Sequence, residues 1–538
     1  MFSNRTILNK HVFTKSNILF IISLSIFLIV GIYLLKYYQY DTGADGMSYI
    51  SIAKLYIKGD FTDAINGYWG PLFSWLMIPF IKVFGSKPLN ALYAARFLSI
   101  IIGAFTIVGV RQLSYKFEMN EKIRSLVIIT IIPFILFVSL GPIQPDLLIA
   151  CFLVYYLSII FDKDYSNKSY NGFLCGLLCA MAYLTKAYAL PFFVAHFILF
   201  NILHYSAHGS PEKKKSTLKN LFLGLLTFFI ISGLWAGTIS DKYNELTFGT
   251  TGTYNYGVVG PNSVGHPTQY DNEGFIKPPY KDAVSAWEDP SYFKVDSWSP
   301  LKTWSYFKYQ LSKIEKNFST LLDCYQEFSY FSLLILIFCI AFCIRPVKEL
   351  MSKREILYPL LTVLLYPVGY LIISLEIRYL WLVYILILLM GACLLNALFN
   401  KKLLTRAGKS VLALIFIFSF VTMPLNGLIG FYDSGKYVYE WSNVIHGQYD
   451  IQGNVASNGN LQNGNYRNTL HLSYFLGTSY YGFSKPNETD SDLQADFKKY
   501  DIDYYFVWGH SNNGALLSKY KEVSGGKITG LKIYDVKT

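Results

Sequence analysis

The apolar run ILFIISLSIFLIVGIYLL, residues 18–35, decides the class of this protein. It contains no charged residue, and its 18 residues are enough for one helical crossing of a bilayer. Arg5, Lys10 and Lys15 precede it, and no small-residue cleavage site follows it. This pattern predicts a retained signal anchor with a cytoplasmic N-terminus.

Further apolar runs predict a polytopic α-helical membrane protein with about eleven transmembrane helices. The composition agrees, because 53% hydrophobic and only 15% charged residues is too apolar for an ordinary soluble protein. If the runs alternate across a cytoplasmic (inner) membrane, Lys and Arg cluster in one cytoplasmic connection after another, as the positive-inside rule expects. The further runs lie at 91–112, 124–140, 146–161, 171–185, 187–206, 219–240, 327–344, 356–375, 379–398 and 410–430.

The same alternation leaves two long loops, 40–90 and 241–326, and the C-terminal segment on the outer face. In the first loop, 72–84 is too short to span and 45–58 has helical apolar spacing, so both are predicted to be helices on the membrane surface.

The chain is predicted to divide into a membrane domain, 1–430, and a small extracytoplasmic α/β domain, 431–538. The second domain is rich in Asn, Gly, Asp and Ser. Its predicted strands lie at 504–508 and 531–536, and its predicted helix lies at 490–500.

The distribution of charged residues and of cysteines argues against nucleic-acid binding, a disulfide framework and a zinc site. The formal net charge of +12 comes from short clusters between apolar runs and not from one basic face, so nucleic acid is not a predicted partner. The seven cysteines lie in or beside apolar runs, so neither a disulfide framework nor a zinc site is predicted.

Two carboxylates are candidates for acid–base chemistry. Asp45 begins the first predicted surface helix and shares a helix face with Tyr49, four residues later. A partly buried carboxylate there can take a proton from a sugar or lipid hydroxyl, or it can simply cap the helix. Asp146 follows Pro145 at the outer mouth of the fourth helix. It is either another helix cap or the second member of a carboxylate pair at the same membrane level.

Arg378 is the leading candidate for binding a phosphate. It lies between Glu376 and Tyr379, where two apolar helices are interrupted, and a guanidinium binds phosphate through paired hydrogen bonds. A salt bridge with Glu376 or snorkelling to lipid headgroups explains it equally well. Lys186 and Arg96 are weaker candidates of the same kind, and either can snorkel.

The second outer loop contains Trp287, Glu288 and Trp298 beside a stretch rich in Gly and Tyr. Aromatic rings next to polar groups suit sugar recognition, although anchoring at the membrane interface explains the same tryptophans. His266 in this loop is either a catalytic or substrate-binding group or an incidental polar residue.

Three motifs carry a resemblance to a known family. They are Asp45-Gly-Met-Ser-Tyr49 followed by Tyr68-Trp-Gly-Pro71-Leu-Phe-Ser-Trp75, then Pro145-Asp146-Leu-Leu, then Glu376-Ile-Arg378-Tyr379. The order of these motifs along the chain, and their shared location on the outer side of the membrane, resemble those of the membrane glycosyltransferases of the GT-C fold. The resemblance is to bacterial relatives of protein O-mannosyltransferases and of aminoarabinose transferase, in glycosyltransferase family 39.

The resemblance implies an inverting transfer of a monosaccharide from a polyprenyl-phosphate donor, such as undecaprenyl phosphate, to a lipid, glycan or protein acceptor. It implies that Asp45 is the general base, that Asp146 assists in positioning, and that Arg378 binds the donor phosphate. Trp69-Gly70-Pro71 departs from the aminoarabinose transferases, which have a Lys before the proline pair, so Lys186 or Arg96 is expected to assist Arg378. The residues predicted to contact substrate are Tyr49, Trp69, Glu376, Tyr379, Glu288 and His266.

No cofactor and no required metal are predicted, although oligosaccharyltransferase relatives use a metal and a divalent ion therefore stays open. The partners expected are the lipid-linked donor, membrane lipids and the acceptor.

Three alternatives compete with this reading. A transporter or flippase of lipid-linked sugars needs charged residues at the middle of its helices, where this chain has almost none. A surface-polysaccharide polymerase or ligase is expected to carry several Arg and His in its long loop, but 241–326 has one His and no Arg. A glycan-binding assembly protein is the third alternative, and it would show no turnover.

Overall fold

The computed structural model describes residues 14–117, 119–207, 209–263, 274–293, 295–345, 353–401, 404–458, 464–485 and 487–537. His266 lies outside the described residues.

Helices dominate the described chain. In chain order they are α1 (Lys15–Tyr38), α2 (Ala44–Lys58), α3 (Phe61–Ala64), α4 (Pro71–Phe84), α5 (Pro88–Ser114), α6 (Glu121–Leu140), α7 (Asp146–Ile160), α8 (Tyr170–Thr185), α9 (Ala189–Ala207), α10 (Pro211–Tyr243), α11 (Thr251–Val258), α12 (Trp304–Phe328), α13 (Ser332–Ile344), α14 (Lys353–Leu365), α15 (Val368–Ile372), α16 (Trp381–Asn400), α17 (Arg406–Phe431), α18 (Lys436–His446), α19 (Asn465–Leu476), α20 (Asp490–Tyr500) and α21 (Gly514–Leu517). The strands are β1 (Gly274–Phe275), β2 (Asn454–Ser457), β3 (Ser479–Phe483), β4 (Tyr504–Trp508), β5 (Lys521–Glu522) and β6 (Leu531–Asp535).

Within the described residues, eight helical segments are long and apolar enough to cross a membrane, which confirms a polytopic membrane protein. A ninth is present if α12 and α13, which are bent by 105° at their junction, form one broken span. Two further apolar helices, α7 and α8, have only 15 and 16 residues. The predicted count of about eleven includes these short helices, and the exact number of spans stays a prediction.

Two of the predicted runs are divided in the structure. The run 327–344 spans the bend, because α12 ends at Phe328 and α13 begins at Ser332. The run 356–375 is interrupted at Pro367, which precedes α15. Proline cannot donate the backbone hydrogen bond that a continuous helix needs, so α14 stops there and the chain turns toward 374–378.

The helix α16 forms the centre of the bundle. Nearly all of its residues are buried, including Tyr384, whose ring stacks on Phe134 of α6 with centroids 3.8 Å apart. By contrast, most of the side chains of α1, α10 and α17 face outward. An apolar helix with an exposed apolar surface needs lipid around it, so these three helices lie at the periphery.

The helices α8 and α10 cross with their backbones almost in contact. A Cβ placed at Gly176 would lie 2.2 Å from the carbonyl oxygen of Gly224, and one at Gly172 would lie 2.0 Å from that of Asn220. Only glycine permits this approach, and small residues spaced four apart are a common means of packing helices in membranes. The crossing fixes the first half of α8 against α10.

We expect Gly176→Ala to destabilise the protein by about 2 kcal/mol, because the added methyl group forces α8 away from α10. Gly233→Ala is the matched control, since a Cβ at Gly233 of α10 meets nothing within 4 Å. That control is expected to be neutral or stabilising by up to about 1 kcal/mol, from helix propensity. Thermal unfolding in detergent measures both, and equal effects of the two substitutions would contradict this account of the crossing.

The two helices predicted in the first loop are present as α2 and α4. They pack against each other, and the hydroxyl of Ser74 in α4 donates to the carbonyl of Tyr49 in α2 at 2.8 Å. One face of α2 is buried, including Met47, Ile50 and Ala53. The first loop is therefore a folded cap over one end of the helix bundle, which we call the site end.

The C-terminal segment folds around a six-stranded sheet with strand order β1-β3-β2-β4-β6-β5. The central strand β2 runs parallel to β3 and β4, and the other pairs are antiparallel. The predicted helix 490–500 and the predicted strands 504–508 and 531–536 correspond to α20, β4 and β6. The edge strand β1 comes from the second loop, so residues outside 431–538 complete this sheet.

Candidate active site

Asp45 and Arg378 form an ion pair at the site end of the bundle. Gly43 adopts φ +55°, a left-handed conformation that glycine tolerates, and turns the chain from α1 into α2 so that Asp45 lies in the first turn. Arg378 lies in the break between α15 and α16. Its Nη1 donates to Asp45 Oδ2 at 2.5 Å, and each side chain is 20% exposed. The pair is thus partly shielded but open to a ligand.

Asp146 and Lys186 form a second, deeper pair. Asp146 is the first residue of α7, and Lys186 follows the last residue of α8. Lys186 Nζ donates to Asp146 Oδ1 at 2.7 Å, and the Asp146 side chain is 3% exposed. The second carboxylate oxygen, Oδ2, is buried without a hydrogen-bond partner. A buried polar atom of this kind is costly unless something else binds it.

The ring of Tyr379 connects the two pairs. Lys186 Nζ lies 3.9 Å from the centre of this ring, and the Arg378 guanidinium carbon lies 5.3 Å from it. Glu376 accepts from Arg378 Nε at 2.6 Å and from the Tyr379 hydroxyl at 2.9 Å. Six of the residues predicted from sequence therefore meet in one cluster. They are Asp45, Asp146, Lys186, Glu376, Arg378 and Tyr379.

Asp45 has a second partner that sequence analysis missed. Trp287, from the second loop, donates its indole N–H to Asp45 Oδ1 at 3.0 Å. The sequence marks the Trp287-Glu288 stretch as a candidate for sugar contact. Trp287 and Asp45 are 242 residues apart, however, and no local pattern indicates that they are in contact.

Charge interactions set the proton affinity of the site. Burial raises the pKa of Asp45, but the positive charge of Arg378 and the hydrogen bonds from Arg378 and Trp287 outweigh it, so the pKa lies below its usual value. Burial lowers the pKa of Lys186, and Asp146 opposes this effect. Asp45 is consequently a carboxylate held by Arg378, with a low affinity for a proton in this arrangement.

The predicted substrate residues Tyr49 and Trp69 pack beneath the cluster. They are 3% and 7% exposed, and their rings contact each other with centroids 5.1 Å apart. Trp69 donates its indole N–H to the carbonyl of Trp287 at 3.1 Å. Both support the site from below in this arrangement, and direct contact with substrate stays a prediction.

Arg96 does not join the other cations. It is 1% exposed inside α5 and donates to the carbonyls of Asp41 at 2.5 Å and Leu140 at 3.2 Å. These bonds tie the turn between α1 and α2 to the end of α6. Arg96 thus positions the loop that carries Asp45, and the arrangement gives no support to the predicted phosphate contact.

Glu288 is buried behind Trp287 instead of facing the cluster. It is 1% exposed, accepts from the backbone N–H of Val284 at 2.7 Å and from the hydroxyl of Tyr280, and its pKa is raised to about 7 by burial. Its contacts hold the turn that presents Trp287. The predicted substrate contact of Glu288 is not supported by this position.

We expect the stability of the protein to fall as pH rises through 7, because Glu288 binds its proton more tightly when folded than when unfolded. The stabilisation is complete below the unfolded pKa of 4.5 and is lost as pH passes the folded pKa of about 7. Glu288→Gln removes this dependence, so it is expected to be more stable than wild type at pH 8 by on the order of 3 kcal/mol. Thermal unfolding at pH 5 and pH 8 measures the difference.

The exposed Glu440 of α18 provides the control. Glu440→Gln is expected to leave the pH dependence of unfolding unchanged. A loss of stability between pH 5 and pH 8 that persists in Glu288→Gln would show that another group causes it.

The donor set does not fit a metal ion. The carboxylates of Asp45 and Asp146 are each paired with a cation, and the described residues contain no group of three or more His, Cys, Asp or Glu that could hold a metal.

Comparisons with known proteins show which folds this chain resembles. No protein-family model and no curated protein matches the sequence. Among solved structures, the chain is similar to ArnT from Cupriavidus metallidurans bound to undecaprenyl phosphate, with a TM-score of 0.55 at 10% identity, covering 95% of this chain and 97% of that chain. It is also similar to the apo oligosaccharyltransferase from Archaeoglobus fulgidus, with a TM-score of 0.52 at 10% identity, covering 91% and 69%.

The chain has the GT-C fold. This finding confirms the fold predicted from the three motifs. In this GT-C fold the three motifs, which are far apart in sequence, lie in one cluster at the site end.

Proposed function

We propose that the protein is an inverting glycosyltransferase that moves a monosaccharide from a polyprenyl-phosphate donor to a hydroxyl of a lipid, glycan or protein acceptor. The observation that carries the proposal is the contact of Asp45 with Arg378 beside the Asp146–Lys186 pair, in a chain with the GT-C fold. The structure of ArnT bound to undecaprenyl phosphate adds support, since it is similar over nearly the whole chain.

The two cations suit a lipid phosphate. Arg378 presents a planar guanidinium that binds phosphate oxygens in pairs, and Lys186 presents a compact charge near the same ring of Tyr379. A bound phosphate competes with Asp45 for Arg378 and draws the guanidinium toward itself. Donor binding therefore releases one oxygen of Asp45 and raises its basicity at the moment a base is required.

The reaction is a single displacement. Asp45 takes the proton from the acceptor hydroxyl, and the acceptor oxygen forms a bond to the anomeric carbon from the face opposite the phosphate. The bond between that carbon and the phosphate oxygen breaks, and its electron pair leaves with the polyprenyl phosphate. Arg378 and Lys186 stabilise the charge that develops on the leaving group, and Asp146 holds Lys186 in place.

The proposed location is the outer face of the cytoplasmic membrane, with the N-terminus in the cytoplasm. The first loop, the second loop and the C-terminal sheet all lie at the site end, and the Lys and Arg clusters of the sequence lie at the other end of the predicted topology. A carrier lipid in the outer leaflet then reaches Arg378 from the bilayer while the acceptor approaches from the aqueous side.

The test is release of polyprenyl phosphate by the purified protein in detergent. A panel of polyprenyl-phosphate monosaccharides is supplied together with total lipid and glycan extracts, and both lipid phosphate and glycosylated product are quantified. Release with inversion at the anomeric carbon is expected for one donor. Retained configuration would contradict the single displacement, and movement of an intact donor across vesicles without release would favour a flippase.

A further inference from the structure

Residues 274–289 link the C-terminal sheet to the site, and we call them the connecting segment. At its first end, β1 pairs with β3, and the N–H of Ile276 donates to the carbonyl of Tyr481 at 2.7 Å. Further along, the carbonyl of Val284 accepts from the N–H of Tyr480 at 2.8 Å. The connecting segment is therefore attached to β3 at two places.

At its second end, the connecting segment is fixed to the first loop. The carbonyl of Trp287 accepts from the indole of Trp69 at 3.1 Å and from the hydroxyl of Ser48 at 3.2 Å. The carbonyl of Glu288 accepts from the side chain of Asn66 at 2.8 Å. These bonds hold the backbone of Trp287, whose ring is 7% exposed, so the direction of its N–H is also fixed.

The two oxygens of Asp45 have different kinds of partner. Oδ2 accepts from the charged guanidinium of Arg378, whereas Oδ1 accepts from the neutral indole of Trp287. A donor phosphate attracts the guanidinium but has no comparable attraction for an indole already bonded to a carboxylate. When Arg378 turns to the phosphate, Trp287 is the partner that keeps Asp45 in place.

We propose that Trp287 is a positioning residue that keeps the Asp45 carboxylate aimed at the acceptor while Arg378 holds the donor phosphate, and that the C-terminal domain supports it through the connecting segment. This inference rests on the proposed function, in which Asp45 is the general base. It gives the C-terminal sheet a role in catalysis that does not require contact with either substrate.

The effect is expected in the chemical step and not in donor binding. A carboxylate with one oxygen fixed presents its other oxygen in a constant direction, whereas an unanchored carboxylate rotates about the bonds of its side chain. Misplacement of a catalytic group by about 1 Å can lower the rate by about 10²-fold. Because Trp287 is uncharged and donates its N–H to the base, donor affinity is expected to change little.

The experiment compares Trp287→Phe, which removes the N–H but keeps a ring, with Trp287→His, which keeps a ring N–H in a smaller ring. Release of polyprenyl phosphate is measured with the donor identified by the panel, over a range of donor concentrations and pH. Trp304→Phe is the control, because Trp304 lies in the same loop, at the start of α12, and is 67% exposed.

We expect Trp287→Phe to lower kcat about 10- to 100-fold with the donor KM unchanged. The acidic limb of its profile of activity against pH should move to higher pH, because the lost hydrogen bond had lowered the pKa of Asp45. Trp287→His should keep more activity than Trp287→Phe although it packs less well, and Trp304→Phe should match wild type. A donor-induced shift in melting temperature, measured for each variant, shows that the fold and the donor site are retained.

Three outcomes would overturn the inference, and only the last of them also overturns the proposed function. If wild type turns over and Asp45→Asn does not, but Trp287→Phe keeps the wild-type kcat and pH profile, Trp287 is only a packing residue and the proposed function stands. The same conclusion follows if Trp287→Phe is more active than Trp287→His. If wild type releases no lipid phosphate from any donor, the proposed function fails and the inference fails with it.

Discussion

Asp45→Asn is expected to lower kcat by about 10³-fold while the donor still binds, because an amide has nearly the shape of a carboxylate but cannot take a proton. The substitution also removes the negative charge that pairs with Arg378. The guanidinium is then free for phosphate, so donor affinity should be unchanged or higher. Release of polyprenyl phosphate and a direct donor-binding titration measure the two quantities separately.

Asp63→Asn is the matched control for this substitution. Asp63 is a carboxylate of the same first loop, in the short helix α3 after α2, and it is not part of the cluster. Its substitution is expected to leave both kcat and donor binding within twofold of wild type. Wild-type turnover by Asp45→Asn would show that Asp45 is not the base, whatever the result for donor binding.

Arg378→Ala is expected to weaken donor binding about 10²- to 10³-fold, since it removes a shielded cation that can contact two phosphate oxygens at once. Arg378→Lys should recover only part of the loss, because an ammonium is a point charge without the planar pair of donors. Donor titration in detergent measures the dissociation constant, and the empty carrier, polyprenyl phosphate, provides a second ligand with the same headgroup.

The exposed Arg406, at the start of α17, is the control, and Arg406→Ala is expected to bind donor as wild type does. If Arg378→Ala binds donor normally but loses turnover, the guanidinium acts only on the leaving group in the transition state. If it retains both, the phosphate lies elsewhere and the assignment of Arg378 is wrong.

Much of the membrane domain was predictable because apolar runs of spanning length have few alternatives. The run 91–112 corresponds to α5, and 379–398 corresponds to α16, each within three residues of an observed end. The amphipathic α12 was missed for a physical reason. Its exposed apolar residues Trp304, Phe307 and Leu311 recur at helical spacing, but polar and charged residues along the rest of the helix keep its average hydropathy low.

Several residues of the site could be predicted from the sequence, but the contacts between them could not. Asp45, Asp146 and Arg378 were identified by motif, and the structure brings them into one cluster. Burial is what the sequence does not reveal: Arg96 and Glu288 have the residue types of a binding site, yet both are fully enclosed and bonded to backbone groups. The two-residue strand β1 has no periodic pattern at all, so its pairing with β3 could not be anticipated.

The contact between Arg378 and Asp45 has a consequence for how a reaction cycle ends. After transfer, Asp45 holds the proton of the acceptor and no longer competes for the guanidinium. The departing lipid carries a phosphate monoester, which is more negative than the diester that entered. For the proposed reaction we therefore expect the spent carrier to bind more tightly than the fresh one, with product inhibition by polyprenyl phosphate and a slow exit of the carrier.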